Sequence, residues 1–264
     1  MIKAFYLTAA ILFTTIGFAQ FNSSNILQDG LTNESLVIQD GFFNISDIVQ
    51  QGESNNSIVD QNGQYQYSSV LQIGNSNISF IEQDGFNNNS DVVQQGDSNN
   101  SIVYQDGENH YSSVLQIGNS NISYVNQSGY GNISSVSQSG DSNDSFVSQK
   151  GNGSIPNNSA VTQLGLFNVS DVFQDGEGND SEVLQLGDYN ESFVSQTGAY
   201  HASIVLQNGT SNGSEVWQLG LENFSSVAQF GFENSSYVYQ NGNSHISTVL
   251  QTGTSNVSTV IQNN

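Results

Sequence analysis

The sequence predicts an all-β fold, a β-solenoid of about 11 stacked layers in which each layer is a strand, a turn and a second strand. Three observations lead to this prediction. Gln recurs at every eleventh residue from position 28 to 149, and again from 163 to 262. Around each Gln, repeated small polar and β-branched residues alternate with variable ones, as in a strand with one repeated face. A Gly two residues after the Gln indicates a turn that needs positive φ.

The repeated unit reads Asn-x-Ser-x-Val-x-Gln-x-Gly-x-x, and its Ser is present in all 22 copies. An 11-residue period also occurs in right-handed coiled coils. Each unit, however, contains Gly, Asn, Ser and a β-branched residue, all of which are poor in helix interiors. We therefore predict a strand with Asn, Ser, Val and Gln on its inner face, followed by a turn made of Gly and the two residues after it. Identity between copies is highest at a separation of 44 residues, which is four units. We therefore predict that two units form one layer of 22 residues and that 44 residues correspond to two layers.

Three segments follow in chain order. Residues 1–19 place Lys3 before an apolar run and predict a signal peptide cleaved before Gln20. Residues 20–264 are predicted to form a single repeat solenoid, because 22 units and a three-residue insertion account for this length. The insertion predicts a longer turn at residues 150–156 and no domain boundary.

The composition excludes several classes of function. Two Lys and no Arg stand against 24 acidic residues, and the net charge of −22 excludes electrostatic binding of nucleic acid. With no Cys and three His, the usual residues of acid–base catalysis and thiolate metal sites are nearly absent, so we predict no enzyme and no cofactor. The many carboxylates leave weak binding of divalent cations open.

The inward amides are the first set of candidate functional residues, because Asn and Gln columns can hydrogen-bond along the stack as ladders. The three His residues replace ladder Asn residues in one column, at least two layers apart, and are interpreted as structural. The ladder candidates are Asn22, Gln28, Asn33, Gln39, Gln72, Asn77, Gln116, Asn121, Gln251, Asn256 and Gln262.

The outward apolar residues are the second set. Leu71 and Leu115 belong to an apolar column on one sheet, and Phe80 and Tyr124 belong to a column on the other. Long exposed apolar stripes often mark interaction surfaces, so these four residues predict lateral contacts. Ordinary packing between neighbouring strands of the outer face remains the alternative.

The unit resembles the curlin repeat of curli fibre subunits, as in the segment from Ser68 to Asn77, which contains Gln72 and Gly74. The resemblance covers the whole of residues 20–264. It implies a β-solenoid secreted across the outer membrane of a bacterium, which polymerises with itself into extracellular amyloid fibres of a biofilm matrix. It also implies a nucleating subunit and a secretion pore as partners, and it adds the inward Ser, beginning with Ser24, to the ladder residues.

The main alternative is a secreted solenoid that stays monomeric and acts as an adhesin or an ice-binding module. Solenoids that remain monomers normally have atypical capping repeats, whereas the terminal units here are regular. An ice-binding face would also show outward Thr columns, and outward Thr is confined mainly to Thr248 and Thr259. The sequence therefore favours a polymerising structural subunit.

Overall fold

The computed structural model describes residues 21–264, and over this range the backbone forms 22 β-strands and no helix. The predicted signal peptide, residues 1–19, lies outside the described residues. Residues 21–264 accordingly contain no helix that is long and apolar enough to span a membrane. The strands are β1 (Ser23–Leu31), β2 (Glu34–Phe42), β3 (Ile45–Glu53), β4 (Asn56–Gln64), β5 (Tyr67–Asn75), β6 (Ile78–Phe86), β7 (Asn89–Gln95), β8 (Asn100–Glu108), β9 (Tyr111–Ile117), β10 (Ile122–Tyr130), β11 (Ile133–Ser139), β12 (Asp144–Gly151), β13 (Asn158–Leu164), β14 (Val169–Glu177), β15 (Asp180–Asp188), β16 (Glu191–Ala199), β17 (Ala202–Thr210), β18 (Gly213–Leu221), β19 (Phe224–Phe232), β20 (Ser235–Asn243), β21 (Ile246–Thr254) and β22 (Val257–Asn263).

The strands form two parallel sheets of 11 strands each. The odd-numbered strands make one sheet, named here the odd sheet, and the even-numbered strands make the even sheet. A strand pairs in register with the next strand but one, so that Gln28 lies beside Gln50 in the odd sheet and Gln39 beside Gln61 in the even sheet. The chain therefore advances one layer every 22 residues. This architecture confirms the predicted β-solenoid.

The core is a double column of aliphatic side chains between the two sheets. Successive side chains of a strand point to opposite faces, and the repeated Val or Ile of each unit faces the other sheet. Ile48 of the odd sheet and Val59 of the even sheet are both 0% exposed. Complete burial of such a side chain stabilises the fold by about 1.5–3 kcal/mol. The same inward face carries the repeated Asn, Ser and Gln, which are also buried in the interior layers.

The repeated Gly lies where adjacent layers come closest. Gly118 has a φ of 112°, and a Cβ on it would lie 2.1 Å from the carbonyl oxygen of Gly140 in the next layer. A methyl group does not fit at that distance, so the backbone conformation and the layer contact both require glycine. This contact explains the regular recurrence of Gly along the chain.

In most units the turn is shorter than predicted. Four strands, β7, β9, β11 and β13, end before the Gly and are followed by four connecting residues. Most of the others continue through the Gly and one residue beyond it, so that only two residues connect them to the next strand. The first of the two adopts the left-handed conformation and is glycine only at Gly131 and Gly178 among these two-residue connections; Phe43, for example, has a φ of 59° and Ser54 a φ of 57°. Such a residue costs about 1–2 kcal/mol. Hydrogen bonds between layers offset this cost, as Ser54 N–H donates to the Leu31 carbonyl at 2.9 Å.

The three-residue insertion falls between β12, which ends at Gly151, and β13, which begins at Asn158. Both sheets continue across it, because Gln138 pairs with Gln163 and Gln149 with Gln174. The Nζ of Lys150 lies 4.0 Å from a carboxylate oxygen of Asp175, but both side chains are at least half exposed and the pair contributes little stability.

Candidate functional site

The inward Gln side chains form two continuous columns of hydrogen bonds, one along each sheet. In the odd sheet, the Gln50 Nε2 donates to the Gln72 Oε1 at 2.8 Å, and the Gln116 Nε2 donates to the Gln138 Oε1 at 2.9 Å. The Gln72 Nε2 also donates to the backbone carbonyl of Asn56 at 3.0 Å, which ties the two sheets together. Every bond along the columns runs from a layer to the following one, so both columns have the same direction.

The inward Asn side chains fix the turns of neighbouring layers. The Asn77 Nδ2 donates to the carbonyl of Gly96 at 2.7 Å, and its Oδ1 accepts the backbone N–H of Asn99 at 3.0 Å. Asn121 repeats this pattern two layers further on, with bonds of 2.8 and 3.1 Å to the corresponding groups. Both residues are 0% exposed. The Asn columns therefore hold each turn against the next one.

The Ser column differs from the ladder that the resemblance implied. The hydroxyl oxygens of the buried Ser residues, such as Ser134, make no hydrogen bond within residues 21–264. Ser24, in the first described strand, is exposed. The short Ser side chain lies between the Asn and Val columns, and the hydrogen-bonded columns consist of Gln and Asn. A buried hydroxyl without a partner costs about 1–3 kcal/mol relative to water.

Mutations should distinguish the Ser columns, which lack hydrogen bonds, from the hydrogen-bonded Gln columns. We expect Ser134→Ala to leave the stability unchanged or to raise it by about 1 kcal/mol, because it removes a buried hydroxyl without a hydrogen bond. Gln138→Ala, two strand positions from the Val of the same unit, should lower the stability by about 2–4 kcal/mol, because it leaves the amides of its neighbours unpaired and opens a cavity. Urea unfolding of the two variants checks this, and equal losses would contradict the assignment.

His110, His201 and His245 occupy one Asn column of the stack. The Nδ1 of His110 accepts the backbone N–H of Asn132 at 3.1 Å, and its Nε2 lies 3.2 Å from the carbonyl of Asp106, so this neutral tautomer donates there. His201 has the same two contacts, with Asn223 and Thr197. Burial lowers the pKa of both His110 and His201 below the ordinary value of 6.5. Residues 21–264 contain no group of three or more His, Asp or Glu side chains placed to hold a metal ion.

The buried His residues make the stability sensitive to acid. Because their folded pKa is lowered, their contribution is complete above pH 6.5 and is lost as the pH falls through the folded value. We expect the double variant His110→Asn/His201→Asn to match the wild type at pH 7.5 and to exceed it in stability at pH 5. Raised carboxyl pKa values, as at Asp91, act in the opposite direction but are common to both proteins. Urea midpoints that fall in parallel on acidification would contradict the expectation.

The N-terminal end of the stack exposes one half of each ladder bond. Gln28 donates to Gln50 at 2.6 Å and Gln39 donates to Gln61 at 2.8 Å. Within the described residues no Gln donates to the Oε1 atoms of Gln28 and Gln39, because no layer precedes them. The Oδ1 of Asn33 accepts the backbone N–H of Asn55 at 3.0 Å, whereas the N–H of Asn33 itself has no Asn Oδ1 before it in this range.

At the C-terminal end, the last Gln of each column has no Gln acceptor within the described residues. Gln251 is buried there, and its Nε2 donates to the Ser235 and Asn256 carbonyls at 2.8 and 3.0 Å. Gln251 and Gln262 accept the amides of Gln229 and Gln240, each at 2.8 Å. In the part of the chain that the structure describes, no following Gln Oε1 accepts from their Nε2 atoms. The Asn256 N–H donates to the Asn234 Oδ1 at 3.1 Å, while the Asn256 Oδ1 receives no N–H from a further layer in that part. The two ends therefore present complementary donors and acceptors at equivalent positions.

The four outward candidates lie on opposite faces of the solenoid. Leu71 and Leu115 are on β5 and β9 of the odd sheet, and Phe80 and Tyr124 are on β6 and β10 of the even sheet. The structure therefore does not bring them together into one surface. All four are half-buried by their neighbours in adjacent layers.

The even sheet carries a continuous row of aromatic rings that the sequence interpretation missed. Neighbouring ring centroids are 4.9–5.6 Å apart. This aromatic row consists of Phe80, Tyr104, Tyr124, Phe146, Phe173, Phe193 and Trp217. Aromatic pairs at such distances contribute about 0.5–1.5 kcal/mol beyond the burial of their area. The row covers part of the outer face of the sheet over seven consecutive layers.

Comparison with known families agrees with the geometry of the repeat. The family model of the curlin associated repeat matches the chain at residues 96–129, 124–151, 168–198 and 222–253. No curated protein matches the chain. The matched segments lie on both sides of the insertion and include strands of both sheets. This repeat family and the solenoid architecture are structural rather than enzymatic. The chain is a curlin-repeat protein.

Proposed function

We propose that the chain is a structural subunit of extracellular curli-like amyloid fibres, and that copies polymerise end to end by adding layers to the solenoid. The observation that carries the proposal is the open, directional pair of amide columns. The C-terminal layer offers the Nε2 donor of Gln262, and the N-terminal layer offers the Oε1 acceptors of Gln28 and Gln39. The Gln251 Nε2 donates to the Asn256 carbonyl, and it can share this bond with an incoming Oε1 as the interior Gln207 does with Asn212 and Gln229. A second copy placed one layer beyond the first continues both columns.

The backbone and the core support the same arrangement. An unpaired parallel strand presents free N–H and C=O groups that favour pairing with another chain. The aliphatic core is also open at the end, since Ile26 in the first layer is 37% exposed whereas Ile48 in the third strand is 0% exposed. Docking of a second copy would cover Ile26 as Ile48 is covered within the chain, and this burial favours addition.

The glycine column restricts docking to one direction. Within the chain, a Cβ on a repeated Gly would point at the following layer, as at Gly231, where it would lie 2.1 Å from the Gly253 carbonyl oxygen. In a fibre, the carbonyl of Gly30 from the next copy would take the same place over Gly253. Head-to-tail addition preserves this contact in every layer, whereas head-to-head addition reverses the ladder direction and places like groups against each other.

The cellular setting of the proposal follows from the repeat family. We place the fibre outside the cell, on a bacterium with an outer membrane, where it contributes to a biofilm matrix and to adhesion. We propose two partners. One is a nucleating subunit that exposes a matching layer, and the other is a secretion pore in the outer membrane. The Leu71 and Leu115 face and the Phe80 and Tyr124 face are the proposed sites of lateral contact between fibres.

Net charge should control the rate of assembly. Each chain carries a net charge of −22, so copies repel each other at neutral pH. Raising the ionic strength from about 0.01 M to 0.15 M shortens the Debye length from about 30 Å to about 8 Å, and we expect the lag time to shorten several-fold. Thioflavin fluorescence at fixed protein concentration follows the lag. A lag time independent of salt would contradict a role for this repulsion.

The direct test of the proposal is assembly of purified residues 20–264 without template or cofactor. Fibre diffraction should give a strand spacing of about 4.7 Å, and electron microscopy should show unbranched fibres. A chain that stays monomeric for days at high concentration would reject the proposal. That outcome would favour the alternative of a monomeric solenoid that acts as an adhesin or an ice-binding module.

A further inference from the structure

The outer face of the even sheet contains a pocket beside Gly213. The residue before each repeated Ser usually carries a side chain, as Glu191 does in β16, but at this position β18 has glycine. The space is open, because a Cβ on Gly213 would have no atom within 4 Å. The resulting pocket has a volume of about 220 Å³ and is bordered by Glu191, Phe193, Glu215 and Tyr237.

The pocket is bordered by the Phe193 and Tyr237 rings, and acidic groups lie between and beside them. The Phe193 ring packs against Phe173 and Trp217, with centroids 5.6 and 4.9 Å away, so Tyr237 offers the ring face to a ligand and Phe193 offers its edge. Phe193, Glu215 and Tyr237 are register partners in three successive strands, so the two rings stand two layers, about 10 Å, apart with the carboxylate between them. Glu191 is the register partner of Gly213 and adds a second carboxylate at the edge. The indole N–H of Trp217 donates to the Glu215 Oε1 at 2.6 Å and orients this side chain.

This combination of groups selects a cation on an apolar stem. Aromatic faces attract ammonium and guanidinium groups within about 6 Å. A carboxylate at the same position adds a charged hydrogen-bond acceptor. The net charge of −22 repels anions and raises the local concentration of cations around the whole chain. The apolar ring surfaces can cover the methylene groups of a flexible chain.

We propose that the Gly213 pocket binds a primary alkylammonium group, the feature shared by a lysine side chain and a polyamine. The ammonium lies between the carboxylates of Glu191 and Glu215, and its alkyl stem packs against the Tyr237 ring and the edge of Phe193. Binding needs no assembly into fibres, since every lining residue belongs to one chain.

The test uses the intrinsic fluorescence of Trp217, the single Trp of the chain, which contacts the pocket through Glu215. Freshly purified monomer is titrated at about 0.15 M ionic strength, where nonspecific attraction is screened. One titration uses spermidine and the other uses a short lysine-containing peptide amide. A saturable change with both ligands assigns the pocket to the ammonium group itself, and a change with only one identifies the source.

Three variants make the result specific. Glu215→Gln removes the charge between the rings, and Gly213→Leu fills the open space; each should raise Kd about tenfold or more. Glu182→Gln is the matched control, because it lies at the same position of its unit on the odd sheet and removes the same charge. Its Kd should stay within a factor of two of the wild type. Absence of a saturable change with either ligand, or equal weakening by Glu182→Gln and Glu215→Gln, would overturn the proposal.

Discussion

Replacing Gly118 by alanine is expected to lower the free energy of unfolding by about 2–5 kcal/mol, because overpacking and positive-φ strain act together. The added Cβ would lie 2.1 Å from the Gly140 carbonyl oxygen in the next layer, at a φ of 112°. The neighbouring atoms are backbone atoms of Gly140, which directly follows β11 and whose N–H donates to the Ile117 carbonyl at 2.9 Å, so they cannot move aside without breaking this bond between layers. The affected contact lies in the middle of the stack, where both sheets are continuous.

Gly213→Ala is the matched control, since it adds the same methyl group at a glycine in the same fold. Gly213 does not have a positive φ, and its Cβ would have no atom within 4 Å. The control should be neutral or stabilising by about 0.4–1 kcal/mol, because alanine restricts the unfolded chain. Chemical unfolding of both variants measures the difference. Equal stabilities would mean that the layers are not as close as the structure places them.

Replacing Gly253 by alanine is expected to slow fibre growth, while the monomer stays folded and loses only about 1–2 kcal/mol of stability to positive-φ strain at a φ of 109°. Within residues 21–264 the nearest atom to its Cβ is the Asn256 Nδ2, at 3.7 Å, because no layer follows. In a head-to-tail fibre the Gly30 carbonyl oxygen of the next copy would lie against this Cβ, just as the Gly253 carbonyl oxygen lies 2.1 Å from a Cβ placed on Gly231. An overpacking cost of about 1–3 kcal/mol at this junction slows addition by about five- to 150-fold.

The direction of the ladder makes this variant a chain terminator. Its N-terminal layer is intact and docks on the C-terminal end of a wild-type seed, but the newly exposed end then resists the next copy. Small amounts of Gly253→Ala should therefore inhibit seeded growth of the wild type. Thr252→Ala, the adjacent outward residue, is the control and should not inhibit. Unchanged growth with Gly253→Ala would contradict head-to-tail docking in this register.

The strands and the two sheets could be predicted because one property of the sequence determines them. Gln at every eleventh position, with alternating inward residues, allows only a strand with one repeated face. The pairing of units separated by 22 residues followed from identities at 44 residues. The burial of Val and Gln then follows from the face on which they lie, since a period of two fixes which side chains point inward.

The left-handed turn residue could not be predicted in this way. Phe43, Ser54 and Tyr65 share a φ of 57–59° but share no side-chain chemistry. Their conformation is imposed by the path of the backbone between two stacked sheets, so it has no signature in residue type. The absence of hydrogen bonds at Ser134 likewise depends on distances across the interior and not on the presence of a hydroxyl.

The aromatic row was missed for a geometric reason. Phe80 follows the Ser of its unit, whereas Tyr104 follows the Val of its unit, so the rings are divided between two outward columns. Either column read alone is interrupted by polar residues. The rings come together only when adjacent layers are superposed in register, with Phe80 and Tyr104 centroids 5.5 Å apart. The Gly213 pocket could not be recognised from the sequence for the same reason, because its walls come from three different layers.

Cysteine cross-linking between the two ends tests the central claim most directly, and the chain contains no Cys of its own. Asp29 in β1 and Thr252 in β21 are outward residues of the same column of the odd sheet, at opposite ends of its 11 strands. Within one chain they are about 48 Å apart, far beyond disulfide reach. In a head-to-tail fibre, Thr252 of one copy and Asp29 of the next are one layer apart, about 4.8 Å, which is within the usual Cα separation of a disulfide.

The measurement is the size distribution of oxidised fibres of the double variant Asp29→Cys/Thr252→Cys after denaturation without reductant. End-to-end growth in a single register predicts a covalent series of dimers, trimers and longer multimers, while each single-Cys variant remains monomeric under the same conditions. Multimers absent from the double variant, or dimers formed equally by Asp29→Cys alone, would contradict head-to-tail continuation of the solenoid.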